Sequence, residues 1–156
     1  MNTNLSDFHI ENLTHNREAE ARNLILEGFL DYFESIDHSL NPDVYNLMEY
    51  YSQPCNIFKV GLIHSKVVST GGLIIETEDT ARIVRVSVDA QFRRTGLASR
   101  MISALEKEAY RLQLSKISIE TYASWKGPIL LYKKFGYKVY DVDKGLIHFV
   151  KYICND

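Results

Sequence analysis

The sequence predicts an α+β domain with a mixed sheet, and three features carry that reading. Two β-rich runs, "NIFKVGLI" and "KVVSTGGLIIE", are separated only by His64 and Ser65 and form a hairpin pattern. From "ARIVRVSVDA" to "KISIET" a strand, a helix of about four turns and a second strand make a βαβ unit, whose strands run parallel with a right-handed crossover. "KVYDV" and "LIHFVKYI" then close the chain as a second hairpin, turning at Asp143, Lys144 and Gly145. Antiparallel hairpins on either side of a parallel pair make the sheet mixed.

The remaining elements follow in order. After a short apolar start around Phe8 to Leu13, Ala21, Leu24, Ile25, Gly28, Phe29 and Tyr32 recur at helical spacing, with Thr14 or Asn16 as cap. "NPDVYNLMEYY" opens with Asn41 as cap and Pro42 at the first helical position, which predicts a second helix ending near Pro54. The Gly71-Gly72 pair inside a strand marks a bulge or a close backbone approach. In the next strand, strict alternation puts Val84, Val86 and Val88 on one face and Ile83, Arg85, Ser87 and Asp89 on the other. Leu97, Met101, Ile102, Leu105, Ala109 and Leu112 make the apolar stripe of the long helix, while Arg100, Glu106, Lys107 and Arg111 stay polar. A short helix over "GPILLYKKFGY" ends at Gly136 as its C-cap.

With 156 residues, 46% hydrophobic and 24% charged, residues 1–156 read as one globular domain. No run approaches the roughly 20 apolar residues that span a bilayer, and "MNTNLSDFHI" lacks the layout of a secretory signal, so a cytoplasmic address is expected and a membrane partner is not. Cys55 and Cys154 are isolated, and His9, His15, His38, His64 and His148 show no close pairing, so neither a disulfide framework nor a metal is expected. Charge is uneven: residues 1–80 hold thirteen acidic and four basic side chains, and residues 93–138 hold ten basic and three acidic ones. Segments of opposite sign either complement each other on folding, or the basic one holds a polyanion while the acidic one attracts a cation. No basic motif with interleaved aromatics supports nucleic acid as that polyanion.

Between the βαβ unit's first strand and its helix lies "QFRRTGLASR". A helix N-terminus presents unpaired backbone N–H groups and partial positive charge, Gly96 admits a ligand close to the backbone, and Arg93 and Arg94 add charge. These are the elements of an anion site, although neither nucleotide-binding glycine pattern is present.

"RRTGLA", Arg93 to Ala98, resembles the Arg/Gln-x-x-Gly-x-Gly/Ala signature of the GNAT acetyltransferase superfamily, at the same place between strand and helix. "SIETYASWKGPILLYKKFGY" resembles the family's later motif, a strand ending in Glu-Thr and a short helix carrying Leu-Tyr-x-x-x-Gly-Phe/Tyr. The resemblance implies a GNAT-like fold with six to seven strands, four helices and a central splayed parallel pair that holds acetyl-CoA. It implies that Arg93, Arg94, Thr95, Gly96, Leu97, Ala98 and Ser99 cradle the pyrophosphate. It implies further that the backbone of Val86, Ser87 and Val88 pairs with the pantetheine arm, one N–H polarising the thioester carbonyl. Tyr132 takes the place of the tyrosine that protonates the departing thiolate and so also touches the cofactor. Trp125 stands where many relatives have Asn, and Gly127-Pro128 where an Ala lies.

Deprotonating a lysine-like amine at pH 7 costs roughly 4 to 5 kcal/mol, so a base is useful. Glu120 is the candidate, because alternation separates it from Ile119 and Thr121 at the end of a strand beside the site; Glu76 and Glu78 follow. A structural pairing of Glu120 with Arg85 is the alternative, and an unpaired Arg85 would instead suit a substrate carboxylate. Trp125 is read either as a wall of the acceptor pocket or as core. The expected function is N-acetyl transfer to a primary amine of a small molecule or protein by direct attack in a ternary complex. A non-catalytic acyl-CoA-binding regulatory module and a nucleic-acid binder are the competing classes. The early acidic excess favours a cationic acceptor, and a homodimer would be ordinary for such a chain.

Overall fold

The structure, a computed structural model, describes residues 5–33, 38–54 and 56–153. Its framework is one sheet of seven strands: β1 (His9–Asn12), β2 (Ile57–Ile63), β3 (Lys66–Ile75), β4 (Thr80–Val88), β5 (Lys116–Tyr122), β6 (Lys138–Asp143) and β7 (Leu146–Tyr152). The spatial order is β1-β2-β3-β4-β5-β7-β6, and among the described strands only β4 and β5 run parallel. Among the described residues four α-helices accompany it: α1 (Glu18–Leu30), α2 (Leu47–Tyr50), α3 (Leu97–Arg111) and α4 (Lys126–Lys134). The predicted α+β class, the mixed sheet and the splayed parallel pair are therefore what the chain adopts. Cys55 and Cys154 lie outside the described residues.

The helices sort the apolar residues into two layers. On one face of the sheet, α1 places Ala21, Leu24 and Ile25 with Val44 and Leu47 against Phe58, Val60 and Leu62. On the other, α3 and α4 bury Met101, Ile102, Leu105 and Tyr132 against Ile83, Ile117, Ile119 and Phe149. Glu106 departs from the polar reading of α3. It is buried, and its carboxylate accepts hydrogen bonds from Tyr137 Oη and Lys151 Nζ, both at 2.9 Å. The predicted second helix begins at Pro42 but coils first as a 3-10 turn, Pro42–Asn46, and only its last four residues are α-helical. Asn41 makes no side-chain cap there, since its carboxamide oxygen is engaged by Arg85.

Gly71 is a close-approach position, as its place in a strand suggested. A Cβ at this point would lie 2.6 Å from Met101 Cγ and 2.9 Å from Leu105 Cδ1, inside the packed α3 interface. Gly71→Ala is accordingly expected to destabilise by about 1–3 kcal/mol, read as a lowered urea midpoint with an unchanged slope. Gly127→Ala, with nothing within 4 Å of the new methyl, is expected to be neutral or slightly stabilising in the same measurement.

Candidate active site

The parallel pair separates partway along. β4 and β5 are hydrogen-bonded only from Thr80–Lys116 to Ile83–Ile119, yet β4 runs on to Val88 and β5 to Tyr122. The cause lies in β4 itself. Thr70 of β3 faces Ser87 and Gly72 faces Val84, so Gly71 alone opposes both Arg85 and Val86. This is a β-bulge, which bends the strand that carries it. Arg85 is the extra residue, with a left-handed φ of 55° that costs a non-glycine residue about 1–2 kcal/mol.

Buried polar contacts hold the bulge in place. The Thr70 hydroxyl donates to the Arg85 carbonyl at 2.7 Å. The Arg85 guanidinium forks onto Asp43, Nε to Oδ2 at 3.0 Å and Nη2 to Oδ1 at 2.7 Å, and Nη2 also reaches Asn41 Oδ1 at 3.1 Å. Tyr51 Oη donates to the same carboxylate at 3.1 Å. Burial pushes the Asp43 carboxyl up, but the Arg85 hydrogen bonds and charge outweigh it and hold the group below the usual carboxylate range. Neither role expected of Arg85 therefore stands: it pairs with Asp43, leaving it free for neither Glu120 nor a substrate carboxylate. The bulge also breaks the expected alternation. Val84 packs with the α1 layer, whereas Val86 and Val88 pack with residues of the α3 side.

Past Val88 the chain enters the basic turn. Asp89 Oδ1 accepts from Gln91 N at 2.9 Å and starts a 3-10 turn, Ala90–Phe92. Arg94 and Gly96 then take left-handed φ values of 61° and 87°, and the Thr95 hydroxyl donates to the Phe92 carbonyl. α3 starts at Leu97 with no side-chain cap, so its leading N–H groups have no side-chain acceptor at the N-cap. Leu97 contributes backbone alone, because its side chain is buried with Phe8, Ile63 and Val68. Arg94 is exposed, Ala98 and Ser99 are half-buried, and Arg93 is ion-paired with Asp31 beyond the end of α1.

Tyr132 sits on α4, buried, with edge-to-face contacts to Tyr137 (centroids 6.4 Å apart) and Phe149 (5.8 Å). Burial pushes its phenol up to about 12, and the nearby Tyr32 adds to the rise. Glu120 faces away from buried Ile119 and Thr121, as alternation required, near the free end of β5. Its carboxylate lies 3.6 Å from Arg82 Nη1 and 3.4 Å from His148 Nδ1. Glu76 approaches Arg82 at 3.8 Å, and Glu78 is exposed in the turn before β4. His148, which sequence spacing pairs with no other group, is Glu120's direct cross-strand neighbour on β7. Only the adjacency and register of β5 and β7 reveal that pairing. Trp125 caps α4 from outside and stacks on Tyr32 with ring centroids 4.1 Å apart.

Among the described residues no group of three or more His, Cys, Asp or Glu could hold a metal ion, and no helix is long and apolar enough to cross a membrane. The family model described as "Acetyltransferase (GNAT) family" matches residues 22–137. Among solved structures, an acetyltransferase from Streptococcus agalactiae superposes with a TM-score of 0.83 at 18% identity, over 95% of this chain and 99% of that one. The PaiA N-acetyltransferase of Thermoplasma acidophilum in complex with coenzyme A gives 0.82 at 14% identity, over 94% and 99%. An aminoglycoside 6'-N-acetyltransferase complexed with coenzyme A gives 0.75 at 18% identity, over 92% and 96%. No curated protein sequence matches the chain.

Proposed function

The chain belongs to the GNAT acetyltransferase family, and from that premise we propose that it transfers an acetyl group from acetyl-CoA to a primary amine by direct attack in a ternary complex. The observation that carries this reading is the early release of β4 from β5 after Ile83–Ile119, with β4 leading straight into an uncapped helix N-terminus. Splay and turn fit the co-substrate at two points. The free stretch of β4, Val86, Ser87 and Val88, offers backbone to an extended amide-containing arm, as an added strand would. The N–H groups of Arg93 to Ser99, in a turn opened by two left-handed residues, suit a pyrophosphate. Bound there, acetyl-CoA supplies an activated acetyl thioester.

The chain's own groups then divide the work. A β4 backbone N–H beyond the bulge donates to the carbonyl oxygen as charge builds on it. Tyr132 keeps its proton on Oη through the whole working range and directs it at the sulfur side. Glu120 takes a proton from the amine, directly or through one water, and His148 at 3.4 Å is placed to accept it onward. In this reading neither Tyr132 nor Glu120 forms a bond to the acetyl group: the amine attacks the thioester carbon and the thiolate leaves as coenzyme A.

Calorimetric titration with acetyl-CoA, with ATP and NAD as controls, tests the reading. Micromolar binding is expected, and Gly96→Glu should weaken it at least tenfold. The substitution places a carboxylate where the phosphates would lie and strains a residue held at φ 87°, although no atom lies within 4 Å of its Cβ. Tight binding without thiol release across a broad amine panel would favour a regulatory module over an enzyme. Absence of binding would overturn the proposal.

A further inference from the structure

Four aromatic rings from three elements meet at the end of β5, beyond its last pairing with β4. Tyr32 and Phe33 follow α1, Tyr122 ends β5, and Trp125 immediately precedes α4. Tyr32 stacks on Trp125 at 4.1 Å and 24°, Tyr122 meets Trp125 at 4.9 Å and 48°, and Phe33 meets Trp125 at 5.8 Å and 59° and Tyr122 at 5.5 Å and 78°. A packed core would cover such rings. Here Tyr32 is 49% exposed, Tyr122 41% and Phe33 39%. Rings that meet at a tilt leave face area uncovered, and that area opens outward.

The cluster's position links it to the chemistry. Tyr122 is two residues beyond Glu120 on the same face of β5, about 7 Å along the strand. Tyr32, stacked on Trp125, lies close enough to Tyr132 to raise its phenol. The rings thus lie beside both the carboxylate that would receive the amine's proton and the phenol on the sulfur side. Charge narrows the occupant. Asp31 and Asp43, two of the early acidic residues, already face Arg93 and Arg85, so a polycation finds these two carboxylates paired. What remains to grip an acceptor is ring surface, which favours flat, electron-rich or electron-poor π systems over saturated ones of equal bulk.

Resting on the acetyltransferase reading, we propose that Tyr32, Phe33, Tyr122 and Trp125 form the acceptor subsite and select a primary amine carried on a flat aromatic body. Trp125 is the chain's single tryptophan, so its emission reports on the subsite without any turnover. The titrants are 2-phenylethylamine, 2-cyclohexylethylamine and spermidine, added to the full chain with and without coenzyme A. A saturable shift or quench of Trp125 emission by 2-phenylethylamine, at least tenfold tighter than by the other two, is expected. Equal responses, or preference for spermidine, would overturn the proposal. In the transfer assay kcat/KM should favour the phenyl over the cyclohexyl amine at least tenfold, and Tyr122→Ala should collapse that ratio toward one without changing acetyl-CoA affinity. A Tyr122→Ala protein that melts earlier yet keeps the ratio would mean the rings only tie α1 to α4, and would sink the idea. If that variant does not fold, the wild-type titration decides alone. Because the emission titration needs no acetyl donor, a failed acetyl-CoA titration would remove the enzyme reading while still leaving the aromatic preference to be judged.

Discussion

Asp43→Ala is expected to lower stability by about 3 kcal/mol, a drop of roughly 10 °C in melting temperature for a chain of this size. The loss arises less from the missing bonds than from what is left behind. Arg85 would keep its charge with its bidentate partner removed, in a position with only 22% of its side chain exposed. That residual exposure puts the value at the lower end of the usual range for broken buried pairs. The same pair predicts an acid dependence. Because the folded-state Asp43 carboxyl is depressed, its stabilising contribution is complete above the ordinary carboxylate pKa near 4 and is lost as pH falls through the lowered value. Thermal melts of wild type and Asp43→Ala from pH 7 to pH 2 should therefore converge at the acid end. A difference under 1 kcal/mol at pH 7 would mean that Thr70 and the β3–β4 ladder hold the bulge without the ion pair. Asp43→Ala should also weaken acetyl-CoA binding, since the bulge sets where β4 leaves β5.

The strand-turn-helix that carries the site is legible in the sequence because its signals are local. Apolar alternation, an Arg-Arg-Thr-Gly turn and a 3.6-residue stripe lie within one stretch of sequence, and the structure realises each of them as β4, the left-handed turn and α3. The bulge is not legible. Glycine or asparagine commonly marks a left-handed residue, but here it is an arginine, held there by Thr70 and by Asp43 some forty residues earlier. Alternation carried through Arg85 treats β4 as regular, which puts Val84 on the wrong side of Val86. His148 is hidden for a related reason. Its own strand shows only that it alternates with buried Phe149, and the Glu120 contact exists because β7, not β6, lies next to β5. Sequence spacing likewise assigns Glu106 to the polar face of α3, when two distant donors, Tyr137 and Lys151, make its burial tolerable.

Tyr132→Phe is expected to reduce kcat by 10²- to 10⁴-fold with acetyl-CoA affinity unchanged. The ring keeps its contacts to Tyr137 and Phe149, so stability should move little. The raised phenol constrains the role proposed for the residue. A thiol titrates near 8.5 and this phenol at about 12, so complete proton transfer to a departing sulfur would run uphill by about 5 kcal/mol. In the proposed mechanism Tyr132 would therefore act as a hydrogen-bond donor to sulfur as negative charge develops, with the proton reaching the thiolate from solvent afterwards. Two consequences follow for the pH profile. The wild-type rate should not fall between pH 8 and pH 10 through Tyr132, because the phenol is still protonated there. The acid limb should persist in Tyr132→Phe at its wild-type position, because the proposed mechanism assigns it to a different group, the one that takes the amine's proton. Single-turnover rates from pH 5 to pH 10 for both proteins measure this directly. A kcat loss below tenfold, or an alkaline limb that vanishes with the hydroxyl, would reassign Tyr132 to packing in the first outcome and to full proton transfer in the second.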